Sequence, residues 1–131
     1  MLSTNPYLHF MGNTETAMKF YKSIFGGVFT IFQRFKDVPG AEKMSEKEQD
    51  KIIHISLDLG KGIVIMATDS LESMGQTATP GNNYHIHLQC ESEAEVEKIF
   101  SGLSVNGIVE MPLNKTFWGA YFGICTDQFG I

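Results

Sequence analysis

The stretch Tyr84-His85-Ile86-His87-Leu88-Gln89-Cys90-Glu91-Ser92-Glu93-Ala94-Glu95 decides how this chain is organised. Its first seven residues alternate as a β-strand does: His85, His87 and Gln89 share one face, while Ile86, Leu88 and Cys90 share the other. The apolar face suits packing against a helix. Ser92 to Glu95 supplies that helix with a capping box, in which the serine side chain and the glutamate three residues on satisfy each other's free backbone N–H groups. Val96, Ile99, Phe100 and Leu103 then recur at helical spacing. The chain opens with the same order. Tyr7 to Met11 reads as a strand, Asn13 as a helix N-cap with Glu15 in the favourable first turn, and Ala17, Phe20, Tyr21, Ile24 and Phe25 as the apolar stripe.

Working outward, each helix is followed by strands. Gly26-Gly27 ends the first helix, and Val28 to Phe35 is β-branched and aromatic. Lys36 to Lys51 carries nine charged residues with Pro39-Gly40 and predicts an exposed excursion with one helical turn near Ser45 to Gln49. Ile52 to Leu59 alternates, Ile53, Ile55, Leu57 and Leu59 opposing His54, Ser56 and Asp58. Gly60-Lys61-Gly62 is a tight hairpin turn and Ile63 to Thr68 the returning strand. After the second helix, Asn106-Gly107 is a break, Ile108 to Leu113 and Tyr121 to Thr126 are strands, and Asp127 to Gly130 is a turn. Ile131 would begin a last strand that these residues do not contain. A shift of 79 residues lays Asn13 on Ser92, Tyr21 on Phe100 and Ile24 on Leu103. The repeat is one of element order and capping, and it is a fold-level signal. It predicts one α+β domain of two β-α-β-β-β modules, the last strand incomplete. Module one covers about residues 1–69, a Gly/Ser/Thr/Pro-rich linker about 70–83, and module two about 84–131.

Composition narrows the function. The 131 residues are 43% hydrophobic, enough for an ordinary core. Ten basic residues against fifteen acidic give a net charge of -5, and no Lys/Arg run forms a phosphate-tracking stripe, so a nucleic-acid partner is not expected. Cys90 and Cys125 lie in apolar, strand-like runs, with the spacing of neither a disulfide scaffold nor a zinc site. No signal peptide opens the chain and no apolar run approaches a membrane span, so a cytoplasmic protein is expected.

Two segments then carry a resemblance. Pro6-Tyr7-Leu8, Gly12-Asn13, Ala17, Phe20-Tyr21-Lys22 and Phe25-Gly26-Gly27 resemble the opening of PhnB-like proteins. Met111-Pro112-Leu113, Thr116-Phe117-Trp118-Gly119, Phe122-Gly123 and Asp127 to Ile131 resemble that group's second half. Thr116 to Gly119 is the most specific part, and the match runs over nearly the whole chain. PhnB-like proteins are often labelled as related to 3-demethylubiquinone-9 3-methyltransferase. Here no glycine-rich loop follows a strand, so nothing supports S-adenosylmethionine binding in the Rossmann manner. The resemblance implies the glyoxalase/bleomycin resistance (vicinal oxygen chelate) fold: two modules whose curved mixed sheets enclose a cavity, usually in a homodimer.

Metal-dependent members of that superfamily hold a divalent ion with His/Glu side chains on the first and fourth strand of each module, leaving open positions where a substrate is polarised. Carried over, the first module's positions fall on Pro6, which cannot ligate, and Met66, a poor ligand for a hard ion. In the second module His85 is the only plausible ligand at a family position, and the last position lies beyond Ile131. No cofactor is expected from this set; a bound divalent metal is the alternative.

The remaining candidates are cavity residues. His85 and His87 share the polar strand face and could bind a ligand or exchange protons near neutrality. Trp118, the only tryptophan, could wall a pocket and orient a planar ligand, or equally plug a core or dimer interface; Tyr121 carries the same ambiguity. Lys115 nearby could meet an anion. His54 lies on a polar strand face that solvent alone would explain. His9, one half-repeat before Leu88, is expected to point at the helix. Three readings follow: a metal-free protein that binds an unknown small molecule; an enzyme, whether a metal-assisted lyase, isomerase or dioxygenase or a metal-free acid/base catalyst using the histidine pair; and an interaction module without a ligand.

Overall fold

The computed structural model describes residues 1–131, which divide into two compact units, Met1–Thr79 and Pro80–Ile131. The first holds β1 (Tyr7–Phe10), α1 (Thr14–Phe25), β2 (Val28–Arg34), a one-turn helix α2 (Glu46–Gln49), β3 (Ile52–Gly60) and β4 (Ile63–Asp69). These complete one β-α-β-β-β module. Its four strands lie in the order β1-β4-β3-β2, with β1 parallel to β4 and the other pairs antiparallel. The β3–β4 hairpin turns at Gly60-Lys61-Gly62, all three residues having positive φ. Gly27 adopts a φ of +83°, and a Cβ there would overlap the carbonyl oxygen of Asp58, so glycine is required where α1 passes into β2.

The core of this unit is the face where α1 covers the sheet. Leu8, Phe10, Ile55, Leu57 and Ala67 from the strands meet Ala17, Met18 and Tyr21 from the helix, all buried. The alternation of β3 places them there, because successive side chains of a strand take opposite faces. Asp69, at the end of β4, is buried among them. Its carboxylate accepts from the backbone N–H of Thr14 at 3.1 Å and of Ile52 at 2.8 Å, tying the starts of α1 and β3 to the end of β4. Asn13 makes no side-chain cap, contrary to the sequence expectation; the Asp69 carboxylate holds the first helical N–H, that of Thr14, while a cap side chain would accept from the second or third. Ser45 does cap α2, accepting from Glu48 N–H at 3.2 Å.

The second unit holds α3 (Glu93–Leu103) and the antiparallel hairpin β5 (Ile108–Lys115) and β6 (Tyr121–Thr126). Ser92 caps α3, accepting from Glu95 N–H at 3.1 Å, while the reciprocal bond of the expected capping box, from Ser92 N–H to the Glu95 side chain, is not formed. Phe100 of α3 sits directly over Gly123 of β6, where any Cβ would strike its ring.

The predicted strand at Tyr84–Cys90 is not realised. These residues enter no β-ladder, and Ile86 and Leu88, expected to pack against α3, are 38% and 42% exposed. The cause is topological. In the first unit β1 is held by its parallel neighbour β4, whereas residues 84–131 provide no strand in the corresponding place.

Candidate functional site

The face of the four-stranded sheet turned away from α1 carries Tyr7 and His9 of β1, Met66 and Thr68 of β4, and His54 and Ser56 of β3. Register fixes the grouping: Tyr7 lies opposite Met66, Met66 opposite Ser56, and His9 opposite Thr68. The Tyr7 ring lies 4.7 Å from that of His9, edge to face, and 5.6 Å from that of His54. His54 Nε2 is 2.9 Å from Ser56 Oγ, and Ser56 is only 5% exposed. Tyr7 and His9 are exposed on this patch and His54 is half-buried, and the tyrosine and two imidazoles gather over the buried Ser56 hydroxyl. It offers aromatic surface together with hydrogen-bonding groups that can serve as donor or acceptor.

His9 is a correction to the sequence reading, which pointed it at the helix. Leu8 and Phe10 take the buried positions instead, so His9 and Tyr7 face the other way. The alternation of Leu8 and Phe10 was the available signal, since successive side chains of a strand take opposite faces.

His85 belongs to a separate cluster in the second unit. Its Nε2 is 3.6 Å from Glu110 Oε2, and Thr126 donates a short hydrogen bond to Glu110 Oε1. The Thr126 hydroxyl, then His85, hold the Glu110 carboxyl below the ordinary carboxylate range. His87 is exposed. Trp118 is 67% exposed in the turn closing the β5–β6 hairpin, where its ring meets Phe117 edge to face at 4.8 Å. The Tyr121 hydroxyl donates to Glu97 at 3.1 Å; desolvation and that carboxylate push its phenol up. Lys115 pairs with Glu93 at 3.4 Å. Glu110 and the Trp118 turn lie towards opposite ends of the hairpin, about 15 Å apart at roughly 3.3 Å per residue. Within this unit His85 and Trp118 therefore do not line one compact pocket, while His85, Glu110 and Thr126 do come together.

No three His, Cys, Asp or Glu side chains converge. Pro6 and Met66, at the superfamily's ligand positions, are joined through their backbones, Met66 N–H donating to Pro6 O at 3.0 Å. The site beside them presents imidazole and phenol but no carboxylate, a set that does not fit a divalent ion of the kind this superfamily binds.

Known proteins match this chain along its length. A family model described as 3-demethylubiquinone-9 3-methyltransferase matches residues 3–131. The structure of protein PA1353 from Pseudomonas aeruginosa is 35% identical, with a TM-score of 0.86, over 100% of this chain and 93% of that one. A PhnB protein from Bacillus cereus is 27% identical, with a TM-score of 0.77, over 98% and 94%. Protein YjdN of Escherichia coli (strain K12) is 28% identical over 97% of this chain and 89% of its own. A glyoxalase-related enzyme from Fulvimarina pelagi, 16% identical over 98% and 83% with a TM-score of 0.52, shares the fold alone. The α+β architecture is that of the glyoxalase/bleomycin resistance proteins, and the chain is a PhnB-like member of the 3-demethylubiquinone-9 3-methyltransferase family.

Proposed function

We propose that this PhnB-like protein binds a small planar or partly apolar molecule on the open sheet face formed by Tyr7, His9, His54, Ser56 and Met66, without help from a metal. The observation that carries the reading is the gathering of Tyr7 with two imidazoles on the one face of the sheet that α1 leaves open. Tyr7 and Met66 supply apolar contact, and His9 and His54 supply adaptable polar contacts. His54, already engaged by Ser56 at 2.9 Å, is oriented before a ligand arrives. We place the protein in the cytoplasm, a reading supported by its two unpaired cysteines, Cys90 and Cys125. We also propose that it acts as a homodimer, because the second unit leaves Tyr84, Ile86, Leu88, Ile108, Val109 and Met111 exposed.

The second reading is acid/base catalysis by the histidines. His85 beside Glu110 favours it, since a carboxylate that orients an imidazole is a common arrangement at proton-transferring sites. A library of aromatic acids and quinones screened by protein-observed NMR tests the binding reading. Binders should shift the Tyr7, His9 and His54 resonances, and His54→Ala should weaken them about tenfold, the cost of one good hydrogen bond. Binders that shift only His85, with turnover lost in Glu110→Gln, would transfer the function to the second cluster.

A further inference from the structure

Also in the first unit, where the charged excursion 36–51 meets the start of α1, lies a cleft of about 580 Å³. Lys19, Arg34, Lys36, Lys47 and Lys51 line it. The chain carries a net charge of -5, yet half of its ten basic side chains converge here, drawn from α1, β2 and the excursion. No linear run of basic residues announces this, because the five are separated along the chain and brought together by folding.

Three carboxylates share the cleft, and each is already occupied. Glu15 takes Lys19 and Arg34, both at 2.7 Å, and is held well below the usual carboxylate range, at about 2, by Arg34 first and Lys19 second. Asp50 takes Lys36 at 3.4 Å. Both oxygens of Asp69 are used by the backbone N–H groups of Thr14 and Ile52. Arg34 Nη1 donates both to Glu15 and to the Asp50 carbonyl at 2.9 Å, so that nitrogen of the guanidinium is engaged. Lys51 Nζ donates to the Gly12 carbonyl at 3.0 Å, which leaves its charge without a counter-ion, and Lys47 has no carboxylate partner. Two ammonium charges thus remain uncompensated, beside two further cations that could turn toward a ligand.

We infer that this cleft binds a compact phosphate-bearing dianion, separately from the ligand of the sheet face. The charge matches the two free ammonium groups. The geometry suits a phosphate, because ammonium groups act as point charges that meet tetrahedral oxygens from different sides. A volume of this order suits a small phosphorylated molecule. Both a free inorganic phosphate and the phosphoryl group of an organic molecule have this chemistry.

The test is calorimetric titration of the full chain with inorganic phosphate, pyrophosphate and a sugar phosphate at low ionic strength, where exposed charges are least screened. At least one of the three should bind with a dissociation constant below about 1 mM, a threshold near 4 kcal/mol. Lys47→Glu and, separately, Lys51→Gln should each weaken it tenfold or more. Lys22→Glu, which changes net charge equally on a lysine outside the cleft, should leave it within twofold. A preference for the sugar phosphate over inorganic phosphate identifies an organic ligand; the reverse identifies the free ion. No binding by any of the three, or equal losses in Lys47→Glu and Lys22→Glu, overturns the inference. Lys47 makes no contact on which the fold depends, so this variant decides the matter even if Lys51→Gln fails to fold.

Discussion

At the scale of single residues, Asp69 does the most for the architecture. It is buried, and its two oxygens satisfy one backbone donor at the start of α1 and another at the start of β3. Asp69→Ala would strand both N–H groups where water cannot reach them, each a loss on the order of 1–3 kcal/mol. The expected total is about 2–4 kcal/mol, seen as a lower urea midpoint with an unchanged m-value. Glu15 sets a pH dependence instead. Its folded value, about 2, lies below its ordinary 4.5, so its stabilising contribution is complete above the ordinary value and is lost as pH falls towards the folded one. Wild type and Glu15→Gln should therefore differ most in stability above about pH 5 and converge as pH approaches 2. A constant gap over that range would remove Glu15 from the acid sensitivity of the fold.

At the scale of elements, what the sequence revealed and what it hid separate by the range of the forces involved. The stripe Ala17, Phe20, Tyr21 and Ile24, the Ser92–Glu95 cap and the turn at Gly60-Lys61-Gly62 are local patterns, and each appears where it was read. The alternation in β3 likewise gave the core positions Ile55 and Leu57. Tyr84 to Cys90 has an equally good strand pattern but no ladder, because pairing needs a neighbour and no sequence pattern in the strand itself supplies one. The Asn13 side chain likewise makes no cap, and the start of α1 is held instead by Asp69, 55 residues away, through the Thr14 N–H. The candidate site was legible only in part. His54 was found from alternation, but Tyr7 and His9 join it through the parallel β1–β4 pairing, a long-range register.

At the scale of the whole molecule, the two units are unequal in what they bury. The first closes a core under α1, whereas no residue of α3 is buried and the β5–β6 hairpin leaves Ile108, Val109 and Met111 exposed. Apolar surface of this extent with unpaired backbone beside it, at residues 84–90, is what an association surface looks like before it is covered. The proposed homodimer would cover it, and burial of a standard interface requires roughly 800 Å² from each partner. Sedimentation should then give a dimer at micromolar concentration. Ile108→Lys, which places a charge on that surface, should yield a folded monomer, because a charge buried without a partner costs several kcal/mol. Amide exchange gives the same question a local answer. Without a ladder, the N–H groups of Ile86 and Leu88 should exchange quickly in Ile108→Lys; in the wild-type dimer they should slow as protein concentration rises, while the core amides of Ile55 and Leu57 stay protected in both. A wild-type chain that sediments as a monomer with fast exchange at Ile86 and Leu88 at every concentration would show that this surface is not covered by a second copy.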